Sequence, residues 1–344
     1  MAEAAAKGHV NVLKRLSELF PNARVTKAVE NAAKNGHVKV LQWLKSSELE
    51  VFWGAREMLF AVRNGHLDAA QWLNQHTTVP EHQFLIDEAA QCPSIRMDQA
   101  AANGHLDMIR WLHENDSRAT TNAMNLAAAE GHLEVVQWLH EHRSEGCERS
   151  AMDQAAVNGH LHVVQWLHAN RSEGCTTIAM NGAARRGFFD VVQWLYANRT
   201  EGCTIKAMDN SAGNGHLEIV QWLHEHRPEG CTNAAMDNAA AGGHLEVVQW
   251  LHENRSEGCT AAAMDDAALY GHLNVVQWLH ENRSEGCSIL AMDNAAANGH
   301  LDVWLHTHYG MGCNNRAMEA AAFGGHFDIL DFLHREGLAS CTPD

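Results

Sequence analysis

Positive charge is scarce in this chain: its 344 residues hold 25 Lys and Arg against 42 Asp and Glu, a formal net charge of −17. A protein whose main task is holding DNA or RNA phosphates needs a positive field, so that class is excluded and only a local basic patch is left open. No uninterrupted apolar run approaches about eighteen residues, the length of a membrane span. The apolar share of 46% is too high and too evenly spread for a disordered chain. Met1 to Leu16 reads as Ala-rich and then amphipathic, without the basic, apolar and cleavage regions of a secretory signal. No C-x-x-C pair, nucleophile elbow or phosphate loop occurs. The expectation is a soluble, folded protein with no catalytic residue, cofactor or metal, and with no membrane or nucleic-acid partner. Tyr is scarce too, at 3 residues, yet Trp reaches 11, Cys 9 and His 25. So lopsided a composition points to repetition.

The marker is a Gly-His pair at Gly8, Gly36, Gly65, Gly104, Gly131 and Gly159, then at Gly215, Gly243, Gly271, Gly299 and Gly325; Gly187 is followed by Phe188 instead. Most intervals are 28 residues, which gives twelve units of about one Trp, one Cys and two His each. The best-formed unit runs from Ala235 through Thr260. Thr232 suits the N-cap of a first helix, as do Thr120, Thr176, Thr204, Thr260 and Ser288 at the same position. Ala235, Met236, Ala239 and Ala240 form its apolar stripe, and Gly243 ends it. Leu245, Val247, Val248, Trp250 and Leu251 give a second one-sided helix that stops near Gly258, a suitable left-handed cap. A lone pair of short helices cannot bury its apolar face, so the units must stack. The expected fold is an all-α, helix-pair solenoid spanning residues 1–344 as a single array. At about 10 Å per stacked unit, it would be on the order of 100 Å long.

The stretch Ala-Ala-Ala-Gly-Gly-His-Leu-Glu-Val-Val-Gln-Trp-Leu at Ala239 to Leu251 resembles the heart of ankyrin repeats, and the match recurs along nearly the whole chain. Two departures stand out. Ala-Met-Asp, as at Ala207 to Asp209, replaces the Thr-Pro-Leu-His opening, and only Cys259 to Ala262 separate Gly258 from the next helix, so the β-hairpin finger is expected to be reduced or absent. Such short repeats of Trp-Leu-His type look like those abundant in oomycetes, some other protists and large viruses. The resemblance implies protein–protein interaction without intrinsic catalysis.

Three places break the pattern. The spacing from Gly65 to Gly104 is 39, which puts an insertion of eleven residues near 77–90 in the third repeat. The repeat near 299–313 lacks two residues of its second helix. That loss rotates the downstream chain by roughly 200° and makes a weak joint at Trp304. Met1 aligns with a mid-helix position and Cys341 to Asp344 opens another inter-repeat loop, so the chain is expected to be a piece of a longer array.

The Cys, His, Asp and Trp rows recur once per unit, whereas an active site needs several different groups converging at one place. Cys147, Cys175, Cys203, Cys231, Cys259, Cys287 and Cys313 are spaced by about 10 Å, beyond the roughly 7 Å that a disulfide spans, and are expected as free, buried thiols in a reducing compartment. The His rows are expected to satisfy backbone carbonyls, the Asp row to form a hydrogen-bonding ladder, and the Trp row to lie in the core.

The units disagree at four first-helix positions, spaced i, i+4, i+7 and i+8 on one face. By the ankyrin resemblance, the last two face the concave side and contact partners. Arg185 and Arg186, with Phe188 and Phe189 after them and Lys206 in the next unit, make one exception to the bland background; Leu269 and Tyr270, with Phe323 further along, make another. Arg and Tyr are frequent interface anchors. The reading is a non-enzymatic scaffold that holds a protein or peptide on this face, in the cytoplasm. One alternative is an adaptor of a larger complex, or a pathogen effector working in host cytoplasm, with its address outside this chain. Another is a metal or redox sensor built on the Cys and His rows. No signal for an oligomeric state is present.

Overall fold

The computed structural model describes residues 1–21, 23–54, 56–77, 93–115, 117–300 and 315–335. Among these residues there are 23 helices and no strand, so the finger position is filled by short loops alone. The expected insertion near 77–90 and the irregular repeat near 299–313 fall almost wholly outside the described residues.

One repeat shows why the sequence folds this way. Thr232 takes an extended conformation, and its Oγ1 accepts the backbone N–H of Ala234 at 3.2 Å, which starts the helix Asn233–Ala241. Gly243, at φ +73°, turns the chain left-handed. Its N–H donates to the Ala240 carbonyl, and the His244 N–H donates to that of Ala239, closing the helix. The second helix, Leu245–Asn254, begins at once. Ala235, Met236, Ala239 and Ala240 from the first helix and Val247, Val248 and Leu251 from the second are all buried.

The chain forms two compact units, Met1–Cys175 and Thr176–Asp344. In the first unit, Ala2–Ala6, Thr26–Lys34, Arg56–Arg63, Pro93–Ala102, Thr121–Ala129 and Arg149–Val157 stack in that order as one layer of first helices. In the second unit, Thr177–Arg186, Lys206–Gly213, Asn233–Ala241, Ala261–Leu269, Leu290–Ala297 and Asn315–Gly324 do the same. First helices contact one another more extensively than second helices do, because Ala and Gly on their facing sides let the backbones approach.

Three ladders join successive repeats. In the first, the Thr N-cap does two jobs. Thr232 also donates from its N–H and its Oγ1 to the Asp209 carboxylate of the preceding repeat, at 2.8 and 2.9 Å. Thr260 does the same to Asp237, and Ser288 to Asp265. The Asp row is therefore the expected hydrogen-bonding ladder. In the second, the turn His donates from Nε2 to a first-helix carbonyl one repeat earlier: His37 to Ala6 at 2.9 Å and His216 to Arg185 at 3.2 Å. Its ring lies on the preceding turn glycine so closely that a Cβ on Gly243 would stand 2.5 Å from His272 Nδ1. In the third, the loop Arg donates from Nη1 to the Nδ1 of the preceding repeat's His, as Arg255 does to His224 at 3.2 Å, while pairing with Glu257 of its own loop.

Two expectations are corrected. The second helix stops at Asn254, four residues short of Gly258. Asn254 Nδ2 donates to the Trp250 carbonyl at 2.8 Å, and Arg255 turns extended so that its guanidinium reaches Glu257 and His224. Gly258, at φ +70°, instead leaves room in the loop for the Arg283 guanidinium of the next repeat. The described Trp row is half-buried at the margin of the core, where several of its rings meet the edge of a ring one repeat earlier: His224 lies 5.3 Å from Trp250 at 82°, and His252 lies 5.2 Å from Trp278 at 84°.

Candidate protein-binding face

The exposed side of the first helices is where the repeats differ. In Thr121–Ala129, Ala123, Met124, Asn125, Ala127 and Ala128 are buried, whereas Asn122, Leu126, Ala129 and Glu130 reach solvent. Those are the four variable positions. The same division holds in Ala261–Leu269, where Ala262, Asp266, Leu269 and Tyr270 reach solvent.

The second unit carries the singled-out residues. Arg185 and Arg186 are exposed in the last turn of Thr177–Arg186, where cations are favoured by the helix dipole. Tyr270 caps Ala261–Leu269 and is 58% exposed, its ring tilted relative to His272 at 6.5 Å; Leu269 beside it is half-buried. Phe323 is 97% exposed in Asn315–Gly324.

Other expected members sit elsewhere. Phe188 occupies the turn position that His holds in other repeats, with φ −82° and ψ 77° against −87° and 70° at His244. Phe189 opens the second helix and packs edge-on against Trp222 at 6.1 Å, so it belongs to the second-helix layer. Lys206 lies in the first turn of its helix, whereas Arg185 and Arg186 lie in the last turn of theirs. Parallel neighbouring helices keep these ends apart by nearly a helix length, about 15 Å for ten residues. The basic spot is thus the arginine pair, with Lys206 on the opposite rim.

Two groups were not singled out from the sequence. Ile178, Ile205, Ile289 and Leu290 are exposed apolar residues at the starts of first helices, where other repeats carry small or polar residues such as Ala262, Asn122, Ser150 or Lys206. Asp266 is half-buried on the variable face. Burial, and then the charges of Asp265 and Asp237, hold its carboxyl above the usual carboxylate range.

In the described repeats from Cys147 to Cys287, the Cys row places one thiol per repeat. Cys147, Cys175, Cys203, Cys231 and Cys259 are buried and form no disulfide. Burial, together with the Glu257 carboxylate nearby, pushes Cys231 up to about 11; burial and Glu285 do the same to Cys259. A thiol so raised is a poor nucleophile and a poor metal ligand at neutral pH. Among the described residues, no group of three or more His, Cys, Asp or Glu is placed to hold a metal ion. Nor is any described helix long and apolar enough to cross a membrane.

Comparison with known families matches residues 97–178 and 207–293 to the description "Ankyrin repeats (3 copies)". No curated protein matches the chain. The recurring Gly-His turns, the stacked helix pairs and this match lead to one conclusion: the chain belongs to the ankyrin repeat family, whose repeats are generally protein–protein interaction modules and typically non-enzymatic.

Proposed function

We propose that the chain is a non-enzymatic scaffold that holds another protein, or an extended peptide, on the exposed face of its first helices. In this reading Arg185 and Arg186 meet acidic groups of the partner, and Tyr270 fills an apolar recess on it. One observation carries the reading: sequence variation among the repeats is concentrated on solvent-facing positions of the first helices, the four named above among them, while the buried positions and the inter-repeat ladders stay nearly constant. A structural role alone needs only the constant set, and the exposed Arg and Tyr are side chains that interfaces use as anchors. The row of buried thiols outside any disulfide suits a reducing compartment such as the cytoplasm.

Affinity capture on the full chain, compared with the Arg185→Glu/Arg186→Glu/Tyr270→Ala chain in the same native lysate, tests the assignment by mass spectrometry. The expected result is loss of the main captured protein from the triple variant, with an unchanged circular dichroism spectrum. Retention of every captured protein would remove these residues from the binding face.

A further inference from the structure

Among the charges on the first-helix face of the second unit, Arg185 and Asp266 are two of opposite sign that its own side chains leave unmatched. Arg185 is exposed at one end, and Asp266 is half-buried three repeats along; neither forms an ion pair among the described residues. The carboxylates next to Asp266 are already used, Asp237 accepting from Thr260 and Asp265 from Ser288. Between the two charges the face is low at Gly213, Ala241 and Gly242, and the Asn214 side chain beside Gly213 folds back to donate to the Asn210 carbonyl at 2.8 Å. A Cβ at Gly213 would stand 2.8 Å from that of Asn238, and one at Gly242 would stand 2.9 Å from the Gly213 carbonyl oxygen, so the floor stays low. One turn beyond Asp266, on the same helix, the Tyr270 ring stands out. The result is a shallow track with a cation at one end and an anion beside an aromatic ring at the other.

Three steps of about 10 Å separate the ends. An extended chain advances roughly 3.3 Å per residue, so about nine residues bridge them. We infer that this face takes an extended, bipolar peptide segment of about ten residues: an acidic side chain over Arg185, small or apolar residues across the glycine floor, and a Lys or Arg over Asp266 against the Tyr270 ring. The inference rests on the reading above that this face binds protein, and it adds the partner's charge order. Uniformly acidic segments are repelled by Asp266 and by the net charge of −17, and uniformly basic ones by Arg185, so the face selects against both. A cation placed over Tyr270 also gains from the ring's quadrupole.

Selection from a random twelve-residue peptide library on the immobilised full chain tests this directly. The expected peptides carry one acidic and one basic side chain about nine residues apart. Selection on the Arg185→Glu chain should shift to peptides basic at both ends, and selection on the Asp266→Lys chain to peptides acidic at both ends. Tyr270→Ala should weaken a synthesised wild-type peptide about fivefold or more, as loss of an interface anchor does. If peptides bind in a Tyr270-dependent way but their charges ignore both reversals, the bipolar track is wrong while the scaffold reading survives. If no peptide is selected, the track is also wrong, and lysate capture alone then judges the scaffold.

Discussion

Thr232 shows how closely single residues tie the repeats together. Its hydroxyl oxygen accepts from Ala234 to begin its own helix, and its hydroxyl and amide hydrogens go to Asp209 of the repeat before. An N-cap hydroxyl alone is worth about 1 kcal/mol, and here the same group also satisfies a carboxylate that is nearly buried. Thr232→Ala is expected to cost about 1–2 kcal/mol in urea unfolding of the full chain. Asp209→Ala should cost a similar amount, and the double variant clearly less than the sum, by about 0.5 kcal/mol or more, because the two share one interaction. Additive losses would mean that the ladder carries no coupling. The sequence made this bond half-legible. A Thr ahead of an apolar stripe reads as a cap, and a recurring Asp reads as a ladder, but the match between the two crosses a 23-residue gap and needs the stacked geometry.

At the scale of the element, the helices and their faces were readable because one pattern is written many times. The four solvent-facing positions could be picked out before any packing was known. Ends and edges were less readable. The second helix yields to side chains at Asn254 and Arg255, which compete with the turn glycine for the last carbonyls, and no periodicity reports that competition. Lys206 and Arg186 fall close in repeat count yet sit at opposite helix ends, since helical spacing fixes a face without fixing a height. Two of the turn histidines, His160 and His244, give their helix junctions a pH response. His244 is held below the usual imidazole range by burial first, then by His272 and His216, while its bond to the Gly213 carbonyl pulls the other way. His160 is lowered by burial, by His162 and by His132, opposed by Glu130 and by the Ala129 carbonyl. A folded-state pKa below the unfolded value of about 6.5 means that the unfolded chain binds more protons in that interval. The stabilisation is then complete above about pH 6.5 and fades as pH falls through the lowered values. Phe188 shows that this turn accepts an apolar ring. The His244→Phe chain should therefore lose less thermal stability than the wild type between pH 7.5 and 5. Equal losses would take His244 out of the acid response.

For the whole molecule, the consequence of the fold lies in what each repeat touches. Within each unit, the extensive helix contacts run inside a repeat or to the next one. Stability in such an array is close to a sum of repeat terms and nearest-neighbour terms, so damage should stay local. The ladders strengthen the neighbour term, yet each of their bonds also reaches only one repeat away. Leu223 is a fitting probe: it is buried in the second helix Leu217–His226, away from the variable face, and its side chain makes none of the ladder bonds. Leu223→Ala removes a core side chain at a cost of about 2–5 kcal/mol. In a globular core, that loss would lower protection from amide hydrogen exchange throughout. Here the expected outcome is faster exchange in the repeats between about residues 177 and 254, with helices Thr26–Lys34 and Val38–Ser46 unchanged under native conditions. Mass spectrometry of exchange-labelled peptides reads this directly. A uniform rise along the chain would show that its repeats unfold as one cooperative body, and a binding face spread over several of them would then be lost as a whole.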